Sequence, residues 1–256
     1  MAFQILALVL ATMLGGAVPF IAWHSSRALH LLAALATGLF LGAVFLDLLP
    51  ETFAGLHMGA HAEPQAPGPS GASAGQALLE PWPGVLVLVG VLIPFIIKNL
   101  ILPGRGEGDP HVTASWGALF GLSLHALVAG VGLAAGFGTG SGLFSVVFVS
   151  FLIHKLAEGL SISTVFFLSG ASRRRLLWVV GLFALASPAG MLIGSLSIDA
   201  LDVAGQQACG ALAAGTFLFV ALSDLLPEVF HGKGDVLKRL AFLLAGVCLS
   251  ALGHWI

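Results

Sequence analysis

The amino-acid sequence predicts an all-α polytopic membrane protein with eight transmembrane helices, in which an inverted repeat of spans 1–3 and 6–8 surrounds a pair formed by spans 4 and 5. Three observations predict this fold: the composition, a series of apolar segments of spanning length, and an acid-tipped segment that occurs twice. Of the 256 residues, 58% are hydrophobic and 9% are charged. Soluble domains carry about 25% charged residues, so the composition excludes an ordinary soluble domain.

Eight segments approach the roughly 20 apolar residues that a spanning helix needs. The first lacks a basic leader region and a small-residue cleavage site, so we interpret it as a spanning helix and not as a cleaved signal. Pro50 and Pro227 are expected to end the second and seventh spans, because proline cannot continue helical hydrogen bonding. The predicted spans are 2–23, 29–49, 83–102, 114–136, 143–168, 175–197, 205–226 and 239–256.

The basic residues predict the orientation of these spans. Nine of the ten fall on alternate connections, which the positive-inside rule makes cytoplasmic, so both termini are expected outside. The connection 51–82 is rich in Pro, Gly and Ser and is expected to be a flexible extracytoplasmic loop within a single transmembrane transporter domain, 1–256. The Ala/Gly/Leu/Arg bias favours a bacterial cytoplasmic membrane. The nine residues are Arg27, Lys98, Arg105, Arg173, Arg174, Arg175, Lys233, Lys238 and Arg239.

One segment of the chain occurs twice. Residues 38–53 read GLFLGAVFLDLLPETF and residues 215–230 read GTFLFVALSDLLPEVF, with nine of sixteen positions identical. The second span runs outward and the seventh runs inward, so the two D-L-L-P-E motifs are predicted at opposite faces. A motif repeated with opposite topology indicates a transporter built from inverted repeats. HALVAG (125–130) and HKLAEG (154–159) resemble a second inverted pair.

Three side chains are expected to meet near the middle of the membrane. His125 and His154 each lie about eleven residues into their spans, or roughly 16 Å from opposite faces at 1.5 Å per residue. Glu158 shares a helix face with His154, because it is four residues further along. Two imidazoles and a carboxylate are suitable ligands for a borderline divalent cation such as zinc. The competing interpretation is two histidines bonded to serine or backbone groups.

Further ionisable residues suggest a path to and from this site. Lys155 is also mid-span and needs a partner, for which Glu158 at i+3 is the obvious choice. The second span ends in acids on the outer side and the seventh ends in acids on the inner side. The predicted entrance residues are Asp47, Glu51, His57 and His61, and the predicted exit residues are Asp224, Glu228 and His231; His24, His30, His111 and His254 lie near interfaces and are assigned no role.

These features resemble the ZIP (Zrt/Irt-like) divalent metal transporters over nearly the whole chain. The resemblance lies in the L-L-P-E end of span 2, the H-x-x-x-x-G of span 4, the H-x-x-x-E-G of span 5, the S-P-A-G at 187–190 and the segment 215–228. It implies movement of zinc, iron or manganese toward the cytoplasm. It also implies that His125, His154 and Glu158 match ligands of a first metal site.

The chain departs from the family pattern where a second metal would bind. Ala126 and Ala129 replace an amide and a bridging carboxylate, Lys155 replaces an acid, and Ser187 replaces a glutamate found in some bacterial members. We therefore hypothesise a single-metal site, in which the Lys155 ammonium stands where a second cation would sit and repels one.

The function expected from the sequence is divalent metal transport, most simply of zinc, with cadmium, iron and manganese as alternatives. A metal-permeable channel, or a sensor or scaffold that has lost transport, remains an alternative. An enzyme is not expected, because the chain has no H-E-x-x-H motif. Lipid and the metal ion are the expected partners; no nucleic acid is expected, and a homodimer is left open.

Overall fold

The computed structural model describes residues 2–21, 25–50, 52–53, 82–100, 110–136, 143–196, 203–230 and 235–254. Within these ranges the protein is helical throughout and contains no strand. The α-helices are α1 (Ala2–Ala17), α2 (Ser26–Gly42), α3 (Trp82–Leu100), α4 (Pro110–Gly136), α5 (Leu143–Leu168), α6 (Arg173–Ala184), α7 (Ala186–Leu196), α8 (Val203–Phe219), α9 (Leu226–Phe230) and α10 (Val236–His254).

The helices confirm a membrane protein with many spans. In the described part of the chain, seven helical stretches are long and apolar enough to cross a membrane, and they lie at the first seven predicted positions. The helix α10 lies at the eighth predicted position, where the first turn carries Lys238 and Arg239. Large apolar side chains such as Leu88 and Phe95 of α3 are half exposed, as lipid contact requires.

Glycines bring four pairs of helices into close contact: α1 with α5, α4 with α7, α2 with α10, and α3 with α8. At Gly15 a Cβ atom would lie 2.0 Å from the Leu156 carbonyl oxygen of α5. At Gly190 of α7 it would lie 2.1 Å from the Leu127 carbonyl oxygen of α4. Only a residue without a side chain allows the backbones to approach this closely.

The other two helix pairs also meet at glycines. A Cβ atom at Gly38 would lie 1.9 Å from the Leu243 carbonyl oxygen, and at Gly215 it would lie 2.1 Å from that of Val87. Gly38 and Gly215 are the first residues of the two copies of the repeated segment. Corresponding glycines of the two copies therefore make corresponding backbone contacts.

Both copies of the repeat also contain a π-helical segment, Ala43–Leu48 in one and Val220–Leu225 in the other. These are the same positions of the aligned motif, and they include Asp47 and Asp224. The prediction that Pro50 and Pro227 end the helices is wrong, since helical residues continue on both sides of each proline. The π turn before each proline shifts hydrogen bonds to the i−5 carbonyl, which makes room for a residue without an N–H group.

The sixth predicted span is broken at Leu185, between α6 and α7. The N–H group of Leu185 bonds to the Leu182 carbonyl, which tightens the last turn of α6. Pro188 has no N–H group to bond the Ala184 carbonyl, so the ladder is interrupted at this point.

Polar contacts between side chains join the helices at one end of the bundle. Arg27 bonds to Asp235, Lys98 bonds to Asp224, and His111 bonds to Glu228. The starts of α2, α4 and α10 therefore meet the ends of α3 and α9, and we call this the basic end. Asp47 lies near the other end of the second helical stretch, which we call the Asp47 end. Glu51, His57, His61 and His231 lie outside the described residues.

Candidate metal centre between α4 and α5

His125 is held inside the bundle with one ring nitrogen committed to a hydrogen bond. Its side chain lies on α4 and is 2% exposed. The Nδ1 atom is 2.9 Å from the carbonyl oxygen of Ala213 on α8. Because a carbonyl only accepts, Nδ1 carries the proton and the Nε2 lone pair remains available. A second bond of this kind orients a metal-ligating imidazole.

Glu158 and Lys155 form a fully buried ion pair on α5. Their side chains are 0% and 2% exposed. The Lys155 Nζ atom donates to both carboxylate oxygens, at 2.7 Å to Oε1 and 2.5 Å to Oε2. A buried charge needs such a partner because the interior does not solvate it. The pairing of these two residues confirms the partner that the sequence indicated for Lys155.

The carboxylate also faces His125. The Nε2 atom of His125 is 3.7 Å from Oε1 of Glu158. This is too long for a hydrogen bond. It is close to the separation of roughly 3.4 Å that a tetrahedral zinc ion imposes on a nitrogen and an oxygen ligand at about 2.0–2.2 Å. Lys155 donates to this same oxygen, Oε1, as well as to Oε2.

His154 lies apart from this pair. Its Nε2 atom is buried and has no hydrogen-bond partner among the described residues. Its ring stacks on Phe217 of α8, with centroids 5.2 Å apart, and the same phenyl ring lies 4.1 Å from the ring of His125. Phe217 therefore contacts both imidazoles and holds their orientation. The sequence analysis missed it; its signal was the pairing of Phe217 with Phe40 in the repeat, and these rings lie 4.3 Å apart.

A cavity connects His154 with the Asp47 end. It measures about 30 Å³, which is room for one or two water-sized groups. Asp47 and His154 supply its polar groups together with Ser250, and apolar side chains supply most of the rest. The lining consists of Leu39, Phe40, Ala43, Asp47, Ile153, His154, Ala157, Phe217, Leu249 and Ser250.

The three predicted ligands are thus only partly assembled. His125 and Glu158 face one another, whereas His154 is turned toward the cavity. In the described ranges no group of three or more His, Cys, Asp or Glu side chains is arranged to hold a metal ion. Binding by all three would require His154 to turn toward Glu158, and Glu158 to release at least one oxygen from Lys155.

The positions that differ from the family pattern serve helix packing. Ser187 is buried, and its hydroxyl donates to the carbonyl of Ala126 at 3.1 Å, which joins α7 to α4. Ala129 is half-buried on the same helix as Ala126. None of these three side chains offers an anionic ligand, so Glu158 is the sole carboxylate among the five positions 125, 129, 154, 158 and 187.

The two described exit carboxylates are occupied by cationic or hydrogen-bonding partners. Asp224 bonds to Lys98 of α3, and Glu228 bonds to Nδ1 of His111 at the start of α4. Both carboxylates are nearly inaccessible, at 1% and 3% exposure. Sequence reasoning assigned His111 no role, because nothing in its neighbourhood along the chain points to Glu228.

Comparisons with known proteins show which family this chain resembles along its length. The family described as ZIP Zinc transporter matches residues 1–107 and 103–253. Zinc transporter ZIP1 of Takifugu rubripes is 26% identical, over 87% of this chain and 83% of its own length. Zinc transporter ZIP13 of Pongo abelii is 25% identical, over 90% of this chain and 67% of its own. Zinc transporter ZIP10 of Mus musculus is 30% identical, over 47% of this chain and 14% of its own.

The family match covers nearly the whole chain, including both copies of the repeat and both histidine helices. The apolar helices and the buried polar centre are what a membrane carrier of ions requires. The chain belongs to the ZIP zinc transporter family.

Proposed function

We propose that this protein carries a divalent metal ion, zinc in the first place, across the cytoplasmic membrane toward the cytoplasm. The observation that carries the proposal is the separation of 3.7 Å between Nε2 of His125 and Oε1 of Glu158. A zinc ion would bridge them after a small adjustment, and His154 would complete the protein ligands. The relatives named as zinc transporters support the choice of zinc and argue against an enzyme.

The centre is proposed to hold one transported metal. Lys155 donates to both oxygens of Glu158, so its ammonium already neutralises the carboxylate. An arriving zinc ion brings two charges, and His125 and His154 offer it two nitrogen ligands. The metal then displaces Lys155 from one oxygen but not from the site. A second dication beside the ammonium would be repelled strongly, because the interior screens charge poorly.

Alternating access is the proposed mechanism, and the inverted repeat supports it. Gly38 and Gly215 contact the backbones of α10 and α3 in matching ways, and Gly15 and Gly190 do the same with α5 and α4. Two halves built alike but inserted in opposite directions can exchange conformations, which opens each face in turn. Because glycines form these contacts, the helices can shift without displacing large side chains.

The proposed path begins at the Asp47 end. Asp47 lines the cavity that reaches His154, and Glu51, His57 and His61 are proposed to collect cations nearer the outside. Asp224, Glu228 and His231 are proposed to receive the ion at the basic end. This assignment places the basic end in the cytoplasm, as the positive-inside rule favours.

Zinc uptake by proteoliposomes tests the proposal. The wild type should take up zinc with a rate that saturates, and His154→Ala should reduce the rate by more than about tenfold, since even supporting residues of metal sites have effects of 10–100-fold. Leu192→Ala, on the exposed surface of α7, is the matched control and should transport normally. A rate that never saturates would favour a channel. An absence of wild-type uptake would favour a sensor or scaffold.

A further inference from the structure

Contacts between ionisable side chains join several helices at the basic end. His111, in the first turn of α4, bonds to Glu228 of α9, and its ring meets the edge of the His30 ring of α2 at 6.3 Å. Glu228 is 3% exposed. These contacts join the helix that carries His125 to two helices that belong to the repeated segments.

A second polar pair lies beside the first. Lys98 of α3 bonds to Oδ1 of Asp224, which is 1% exposed. The carboxylate rests against α4 at Gly117, where a Cβ atom would lie 2.8 Å from Oδ1. The other oxygen, Oδ2, is buried without a hydrogen-bond partner among the described residues. A carboxylate held so closely against a neighbouring helix is stable only while Lys98 neutralises it.

We infer that these two pairs, Glu228 with His111 and Asp224 with Lys98, form a latch that closes the basic end in this structure. The inference rests on the proposed transport function and assigns roles in it to Lys98 and His111. The latch engages the same carboxylates that would receive the departing metal. Metal can therefore leave only when α4 moves away and when Lys98 and His111 release the carboxylates of Asp224 and Glu228.

The two ends of the repeat are not equivalent in charge, which supports a latch on one side. Gly90 of α3 and Gly246 of α10 contact Gly215 and Gly38, so they correspond within the repeat. Lys98 lies eight residues after Gly90, and the residue eight after Gly246 is His254. The sequence therefore has a permanent cation at one of two corresponding positions and a histidine at the other.

Thiol labelling tests the latch independently of transport. In a variant lacking the native thiols, Cys209→Ser with Cys248→Ser, the reporter is Ser115→Cys, which lies one turn after His111 and is 1% exposed. A membrane-impermeant thiol reagent is applied to each side of sealed vesicles. We expect Ser115→Cys to be protected from both sides.

Opening the latch should expose the reporter. The double variant Lys98→Ala with His111→Ala should raise the labelling rate of Ser115→Cys from the cytoplasmic side by about tenfold or more. A tenfold change corresponds to a shift of about 1.4 kcal/mol in a two-state equilibrium. Exchange of the charges, Lys98→Asp with Asp224→Lys, should restore protection. Arg27→Ala removes an exposed ion pair at the same end, between helices that are already packed together, and should change nothing.

The outcomes separate the latch from the transport function. If Ser115→Cys reacts from the cytoplasmic side equally well with and without the latch residues, the latch is wrong even if zinc uptake is normal. If labelling rises on unlatching while wild-type vesicles take up no zinc, the latch stands and the proposed transport fails. An unchanged melting temperature in detergent shows that each variant has kept its fold.

Discussion

Glu158 is the residue on which the proposed site depends, because it must serve a permanent cation and a transported one. In the described structure Lys155 donates to both of its oxygens, and Nε2 of His125 lies 3.7 Å from Oε1. The ion pair of Lys155 with Glu158 could be predicted from sequence, since residues three apart on a helix are neighbours, whereas the three-ligand metal site stays a prediction. The hydrogen bond from His125 to the Ala213 carbonyl and the stacking on Phe217 could not be predicted from sequence, because both depend on how α8 packs.

Replacing the internal cation should change the number of bound metals. Lys155→Glu removes the repulsive charge and adds a carboxylate, so the purified protein should bind about two zinc ions in place of one. Lys155→Met, which removes the charge without adding a ligand, should leave the number at about one. Elemental analysis of zinc against protein checks both, and an unchanged stoichiometry in Lys155→Glu would sink the one-metal hypothesis.

Acid should weaken transport, because an imidazole binds metal only in its neutral form. Zinc uptake is expected to fall as the pH on both sides of the vesicle is lowered from about 7.5 to 5. Protonation adds a proton at the nitrogen lone pair that the metal needs, so the loss occurs on the acid side. Rates measured across this range that stay constant would argue against histidine ligation.

Among the helices, the apolar runs located the seven candidate spans of the described residues, since length and hydropathy decide which segments cross a membrane. The π segments at Ala43–Leu48 and Val220–Leu225 were not predicted. Their signal is a proline shortly after an otherwise uninterrupted apolar run, which was interpreted as a helix end. The break at Leu185 had the same signal in Pro188.

The close helix pairs make a direct prediction about stability. Gly38→Ala would place a methyl group 1.9 Å from the Leu243 carbonyl oxygen, so the helices must separate at a cost of about 1–3 kcal/mol. Gly181→Ala, where nothing lies within 4 Å of the new atom, should be neutral or stabilise by up to about 1 kcal/mol. Thermal unfolding in detergent compares them, and equal melting temperatures would contradict the packing described here.

At the scale of the whole molecule, the repeat explains why the chain carries two acid-tipped segments. Asp47 lines a cavity at one end, while Asp224 and Glu228 are held by partners at the other. The repeat itself was visible in the sequence because nine of sixteen residues are identical. The partners of these acids were not visible in the sequence, since Lys98 and Asp224 are 126 residues apart and His111 and Glu228 are 117 residues apart. Such contacts arise only from the packing of the folded bundle.

The most direct test of the central claim is X-ray absorption by zinc bound to the purified protein. We expect one zinc ion with two imidazole nitrogens and at least one carboxylate oxygen, at about 2.0–2.2 Å. His125→Ala should remove a nitrogen and weaken binding, whereas His30→Ala at the basic end should leave the spectrum unchanged. A zinc environment that is identical in the wild type and in His125→Ala would contradict a metal site between α4 and α5.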